Sequence, residues 1–148
     1  MQYAFNKKAT FNYEVLDKYE GGLSLIGIEV KSIKLKRATL DGSYIIIRGG
    51  EAFLINASIP AFQEKNTPEK YDPLRPRKIL LNKKELQKLS DTESNKGLTM
   101  IPISLYNKYN KIKLEFAVAR GKKKIDKRQS IMKREADREI GRTLKKNR

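Results

Sequence analysis

The stretch KIKLEFAVA, residues 111–119, reads as a β-strand. Its apolar residues occupy alternate positions and share one face: Ile112, Leu114, Phe116 and Val118. Charged residues occupy most of the other face. Alternation of this kind is typical of a strand that buries one side and exposes the other to water. The stretch therefore predicts a β-sheet with one packed face.

Three segments upstream carry a similar pattern and are also predicted as strands: TFNYEVL at 10–16, LSLIGIEV at 23–30 and LTMIPISLY at 98–106. The apolar phase shifts at Gly27, which predicts a bulge or sharp bend there. Pro102 cannot donate to a ladder, so it predicts an edge strand or a bulge.

The segment SYIIIRGGEAFLIN, residues 43–56, predicts a hairpin. Gly49 and Gly50 supply the positive φ angles of a two-residue turn. Arg48 and Glu51 would then face each other as an opposite-charge pair.

Two segments favour helices. In LLNKKELQKLS, residues 80–90, Asn82 is the predicted N-cap and Glu85 completes a capping box. The segment 29–40 fits a strand or a helix, and we favour the helix. Short strands, glycine-marked bends and one to three short helices predict a mainly β fold, a small closed barrel of the oligonucleotide-binding type.

Composition narrows the possible functions. The 148 residues include 33 Lys or Arg against 17 Asp or Glu, a net charge of +16, which attracts polyanions such as nucleic acids. Absence of Cys and His excludes disulfides, thiol chemistry and Ser-His-Asp catalysis, and it removes the usual ligands of structural zinc. No apolar run resembles a signal peptide or a membrane span. We therefore expect a cytoplasmic monomer without membrane contact, metal or cofactor.

The loop from Ile59 to Lys78 contains four of the five prolines and ends in a basic cluster. Arg75 and Arg77 flank Pro76, which restricts where the guanidinium groups point, and Lys78 adds a third cation. Such groups suit phosphate oxygens. A solvated basic loop is the alternative, and the pattern does not decide between them.

Carboxylates and tyrosines carry weaker signals. Five carboxylates are candidates for a metal site or an acid-base pair, but their spacing matches no known site and surface charges are the favoured interpretation: Glu14, Asp17, Glu20, Glu29 and Asp41. Six tyrosines could stack on bases, although half-buried strand positions are the interpretation favoured for most: Tyr13, Tyr19, Tyr44, Tyr71, Tyr106 and Tyr109.

The alternation stops after Ala119, which predicts a body at 1–119 and a tail at 120–148. The tail contains 13 Lys or Arg against four acids, so we expect it to be disordered when free. Apolar residues recur every four positions from Met132 to Leu144, and basic residues do so from Arg134 to Lys146. This favours a helix formed on contact with phosphates, with an inert tail or a membrane helix as alternatives.

Five segments together resemble the SmpB family, the SsrA-binding proteins of bacterial trans-translation. They are NKKATFNYEVLDKYEGGLSLIGIEVKSIK (6–34), GEAFLINASI (50–59), DPLRPRKILLNKKEL (72–86), KGLTMIPISLY (96–106) and ARGKKKIDKRQSIMKRE (119–135). The resemblance implies an adaptor that is not an enzyme and that binds the tRNA-like domain of transfer-messenger RNA. Elongation factor Tu would deliver the charged RNA to a stalled ribosome. The tail would become helical in the empty mRNA channel near the decoding centre, against 16S ribosomal RNA.

The resemblance also implies site residues. Those expected to bind RNA are Asn6, Glu20, Leu80, Asn82 and Lys113, with basic support from Lys7, Lys8, Arg75, Arg77 and Lys78. Glu20 would accept from a base or a 2′-hydroxyl, or would orient a nearby lysine. Those expected in the ribosome-binding tail are Gly121, Lys122, Lys123, Lys124, Ile125, Asp126, Lys127, Arg128, Lys133, Arg134, Arg138 and Arg142.

Two positions depart from the family pattern. Ile125 stands where an aromatic residue or His is common, and Phe11 replaces a usual His. Two other functions remain as alternatives: a structural ribosomal protein whose tail enters ribosomal RNA, and a metal-dependent nuclease, which has the least support.

Overall fold

A computed structural model describes residues 1–62, 70–95 and 97–121. This part of the chain forms seven strands and three helices. In order they are β1 (Gln2–Phe5), α1 (Lys7–Asn12), β2 (Tyr13–Leu23), α2 (Gly27–Lys34), β3 (Tyr44–Arg48), β4 (Glu51–Ile55), β5 (Arg77–Leu80), α3 (Lys83–Glu93), β6 (Leu98–Lys108) and β7 (Lys111–Gly121).

The strands form one antiparallel sheet in the order β1-β6-β7-β2-β5-β4-β3. The mainly β prediction with up to three short helices is confirmed. The predicted closure is wrong in detail, because no ladder among the described residues joins the two edge strands β1 and β3. The sheet instead curls until β3 packs against β6. The enclosed face holds the core, in which Leu54, Leu105 and Phe116 are fully buried.

β7 confirms the predicted strand, and its alternation holds over residues 111–116, beyond which Ala117 and Ala119 on the other face are also buried. Leu114, Phe116 and Val118 are buried, whereas Lys111 is exposed and Lys113 is half-buried. An edge strand or a bulge was predicted at Pro102, and the bulge is confirmed, because the β6–β7 register shifts between Pro102 and Ser104. Pro102 therefore lies at a bulge in an interior strand.

Two strand predictions are wrong in part. Residues 7–12 form α1, so β2 begins only at Tyr13. β2 ends at Leu23, and Gly27 is the first residue of α2 and not a bend within a strand. The backbone amide of Ile26 donates to the Glu29 carboxylate at 3.0 Å, which caps the helix and explains why it starts here. The helix favoured for the segment 29–40 is confirmed for its first six residues.

The predicted hairpin and the predicted capping box are both confirmed. Gly49 and Gly50 have φ angles of 59° and 74° between β3 and β4. The Asn82 side chain accepts from the Glu85 amide at 2.8 Å at the start of α3.

The expected ion pair across this hairpin is wrong. Arg48 and Glu51 are opposite each other in the register. However, Arg48 Nη1 lies 2.8 Å from Glu93 Oε1 on α3, and Glu51 Oε1 lies 2.9 Å from Lys78 Nζ on β5. Each charge therefore links the hairpin to a neighbouring element.

Candidate nucleic-acid interface

A group of polar side chains gathers on the outer face of the central strands. The Glu20 carboxylate on β2 reaches across β7 to β6, where it accepts a hydrogen bond from the Tyr106 hydroxyl. Lys108 Nζ donates to the same carboxylate at 3.1 Å. Lys113 lies on the intervening strand β7. We call these four residues, together with Leu80 on β5, the Glu20 patch.

Hydrogen bonds and nearby charges in the Glu20 patch set the protonation states of Glu20 and Tyr106. Hydrogen bonds from Tyr106 and then Lys108 lower the pKa of Glu20 below its ordinary value, and the charge of Lys113 adds to this. Burial and the bond to Glu20 raise the pKa of Tyr106. The carboxylate is therefore charged at neutral pH while the phenol stays a neutral donor. Of the two roles expected for Glu20, this geometry favours orienting a lysine, and that lysine is Lys108.

A groove lies beside the Glu20 patch because β2 carries a glycine there. A Cβ at Gly22 would stand 3.6 Å from a Leu80 methyl and 3.8 Å from Lys113 Nζ, so these two side chains flank the missing one. Leu80 is 53% exposed. The groove has a volume of about 340 Å³. An apolar side chain, a lysine and an open groove together suit a nucleotide.

The sequence-predicted RNA residues do not all lie together. Glu20, Leu80 and Lys113 meet in or beside the groove, and Asn82 is exposed two residues after Leu80. Lys7 and Lys8 are exposed on α1 and line a different groove.

Asn6 is not at the surface. It is 5% exposed, and its amide nitrogen donates to the carbonyl of Pro102 at 3.1 Å. Its backbone amide also donates to the carbonyl of Ile103 at 2.8 Å. Asn6 therefore satisfies backbone groups at the β6 bulge, and the surface position expected for it is wrong.

The basic cluster at the end of the proline-rich loop is largely committed within the protein. The Arg77 side chain is fully buried, and its Nε donates to Glu29 Oε2 at 2.7 Å. Arg75, whose side chain is 32% exposed, binds the same carboxylate. Lys78 pairs with Glu51 at the surface. A buried guanidinium cannot contact phosphate, so the surface role expected for Arg77 is wrong.

Glu29 is correspondingly not a surface charge. Its side chain is fully buried, where the Tyr71 hydroxyl donates to it at 3.3 Å beside the two arginines. Burial raises the pKa of Glu29, but hydrogen bonds from the two arginines and a backbone amide outweigh burial, so the pKa lies below its ordinary value. Glu29 on α2 therefore holds the end of the loop and the start of β5 in place while charged.

The tail lies almost wholly outside the described residues. Gly121, the first residue expected in the ribosome-binding tail, ends β7, is exposed and pairs with Tyr13 on β2. The other residues expected in the ribosome-binding tail, from Lys122 to Arg142, lie beyond it.

Within 1–62, 70–95 and 97–121, no group of three or more Asp, Glu, His or Cys side chains could hold a metal ion. None of the three helices there has the length and apolar character needed to cross a membrane.

Sequence reasoning missed the partners of Glu20. Lys108 carries no motif, and Tyr106 was one of six tyrosines with similar sequence context. Both bonds span more than 80 residues along the chain. Strand register gives an indirect signal. Tyr106, Lys113 and Gly22 are opposite one another on three neighbouring strands, and Glu20 lies two residues from Gly22 on β2.

Comparison with known proteins agrees with the resemblance. A family model described as SmpB protein matches residues 3–146. The SsrA-binding protein of Thermosipho africanus is 45% identical over 146 residues, which are 98% of this chain and 97% of that protein. The SsrA-binding protein of Mesoplasma florum is 46% identical over 142 residues, 96% of this chain and 95% of its own.

A solved structure described as "tmRNA-SmpB: a journey to the center of the bacterial ribosome" is similar in fold. It matches with a TM-score of 0.66 and 39% identity, over 81% of this chain and 84% of that chain. With a family match across nearly its whole length and relatives of this similarity, the chain belongs to the SmpB family.

Proposed function

We propose that this chain binds the tRNA-like domain of transfer-messenger RNA and helps deliver it to stalled ribosomes for trans-translation. The observation that carries the proposal is the family match over residues 3–146, with relatives named SsrA-binding proteins. The Glu20 patch supports it, because it combines lysines, an oriented tyrosine and an apolar side chain beside an open groove.

The body and the tail divide the work. Residues 1–119 bind the RNA, and residues 120–148 occupy the empty mRNA channel near the decoding centre, where they become helical against 16S ribosomal RNA. Elongation factor Tu contacts the complex through the RNA. The chain acts in the cytoplasm as a monomeric adaptor without catalysis, cofactor or membrane contact.

Glu20→Gln tests the RNA-binding face by the sign of its effect. The substitution removes a negative charge, so simple attraction of polyanions predicts tighter RNA binding. The proposal predicts weaker binding, by about tenfold or 1.4 kcal/mol, because Lys108 and Tyr106 lose the anchor that orients them. Equilibrium binding of the full chain to the isolated tRNA-like domain measures the difference.

Two lysine variants provide the reference for this assay. Lys113→Ala should also weaken binding, whereas Lys31→Ala should not, since Lys31 does not line the groove and its Nζ lies 5.3 Å from the centroid of the Phe62 ring. Tighter binding by Glu20→Gln, or equal losses at Lys113 and Lys31, would show that the chain attracts RNA by charge alone.

A further inference from the structure

The turn between β6 and β7 exposes an aromatic ring. Tyr109 and Asn110 form a two-residue turn that connects Lys108 to Lys111, which are opposite each other in the register. Tyr109 is 85% exposed, whereas the next most exposed tyrosine, Tyr44, is 39% exposed. A ring this exposed contributes little to the core, so its surface is available to a partner.

The backbone of this turn does not suit a tyrosine. Tyr109 and Asn110 have φ angles of 53° and 60°. Positive φ at both positions favours Asn, Asp or Gly. Asn110 fits this preference and Tyr109 does not. Disfavoured backbone conformations that persist in a fold concentrate at functional positions.

The surroundings of the ring are basic. Lys108 Nζ lies 5.8 Å from the centroid of the Tyr109 ring while it also donates to Glu20, so it connects the turn to the Glu20 patch. Lys34 and Lys111 form no ion pair within the described part of the chain and line the groove that Leu80 flanks. The turn therefore extends the Glu20 patch, and Lys111 together with Lys34 of α2 adds cations that form no ion pair with a described carboxylate.

We propose that this turn is a second RNA-contact element, in which the Tyr109 ring stacks on an unpaired base and Lys34 and Lys111 contact the adjacent phosphates. The inference rests on the proposed function, because it takes the bound partner to be a folded RNA. Loops of folded RNA present unstacked bases, and a tyrosine ring with lysines beside it is a common receptor for them.

Tyr109→Asn separates RNA binding from stability. The full chain with this substitution should bind the tRNA-like domain roughly 5- to 150-fold more weakly. Its midpoint of thermal unfolding should stay the same or rise, because Asn prefers this backbone conformation. The dependence of affinity on salt should not change, since the ring neutralises no phosphate. Tyr109→Phe should keep near wild-type affinity.

Tyr44→Asn is the matched control, since Tyr44 lies on β3 in a groove that it shares with Thr92 and Met100. It should leave affinity unchanged. The inference is overturned if Tyr109→Asn binds like the wild type, or if Tyr109→Phe loses as much as Tyr109→Asn. It is also overturned if the loss comes with a shallower salt dependence. If the wild type does not bind this RNA, the proposed function itself fails.

Discussion

Replacing Arg77 by methionine is expected to lower the free energy of unfolding by about 3–5 kcal/mol, the usual cost of breaking a buried ion pair. The buried guanidinium donates to Glu29 and to the carbonyls of Ala57 and Pro73, at 2.8 and 2.9 Å. Methionine fills much of the volume but donates nothing, so these acceptors remain buried without this donor. Urea unfolding of the full chain, followed by circular dichroism, measures the loss.

Arg75→Met is the matched control, because Arg75 binds the same carboxylate from a side chain that is 32% exposed. Water can enter the space that Arg75 leaves and Glu29 keeps its bonds from Arg77, so the loss should be smaller, about 1.5–3 kcal/mol. Equal losses for the two variants would contradict the buried network. The folded Arg77→Met protein should also keep the wild-type salt dependence of RNA binding, since a buried guanidinium neutralises no phosphate.

Acidification supplies a second readout of the same variant. The pKa of Glu29 is lowered in the folded state from its ordinary value of 4.5. Its contribution to stability is therefore present above pH 4.5 and is lost as the pH falls through the lowered value. In Arg77→Met the pKa of Glu29 should be higher, so this part of the acid destabilisation should shrink.

Removing residues 122–148 is expected to abolish tagging of nascent chains on stalled ribosomes while leaving RNA binding nearly intact. The truncation keeps Gly121, which pairs with Tyr13, so the sheet should remain folded. The Glu20 patch is also retained. The affinity for the tRNA-like domain should fall by less than roughly 1 kcal/mol, or about fivefold. The measurement is a reconstituted tagging assay beside an equilibrium binding assay.

A shuffled tail is the control for charge. A chain with the same composition in residues 122–148, in scrambled order, keeps the length and the net charge. It should bind RNA like the wild type and still fail to tag. Recovery of tagging would mean that charge alone suffices, and equal loss of binding and tagging on truncation would contradict the division into body and tail.

Sequence patterns correctly predicted those elements that depend on residues close together in the chain. The β7 strand, the Gly49-Gly50 turn and the capping box at Asn82 each depend on neighbouring residues, and the structure confirms all three. The start of α2 was missed because alternation through Gly27 imitated a strand. The helix is capped by the Glu29 carboxylate, which is held in place by a hydrogen bond from Arg77, far along the chain.

The site was harder to predict than the fold, because its contacts join distant segments. The basic neighbours of Arg77 predicted a phosphate ligand. In the structure Arg77 is buried and donates to Glu29, which lies 48 residues away along the chain. The donors to Glu20, Tyr106 and Lys108, lie over 80 residues away along the chain, so no local pattern could predict them. The exposure of Tyr109 likewise follows from where two long strands turn.

Sequencing the RNA that copurifies with the full chain tests the central claim most directly. The account predicts one dominant tRNA-like species, transfer-messenger RNA, and depletion of this species when Lys113→Ala replaces the wild type. Ribosomal RNA in proportion to translating ribosomes, without an enriched tRNA-like species, would contradict the account and favour a structural ribosomal protein.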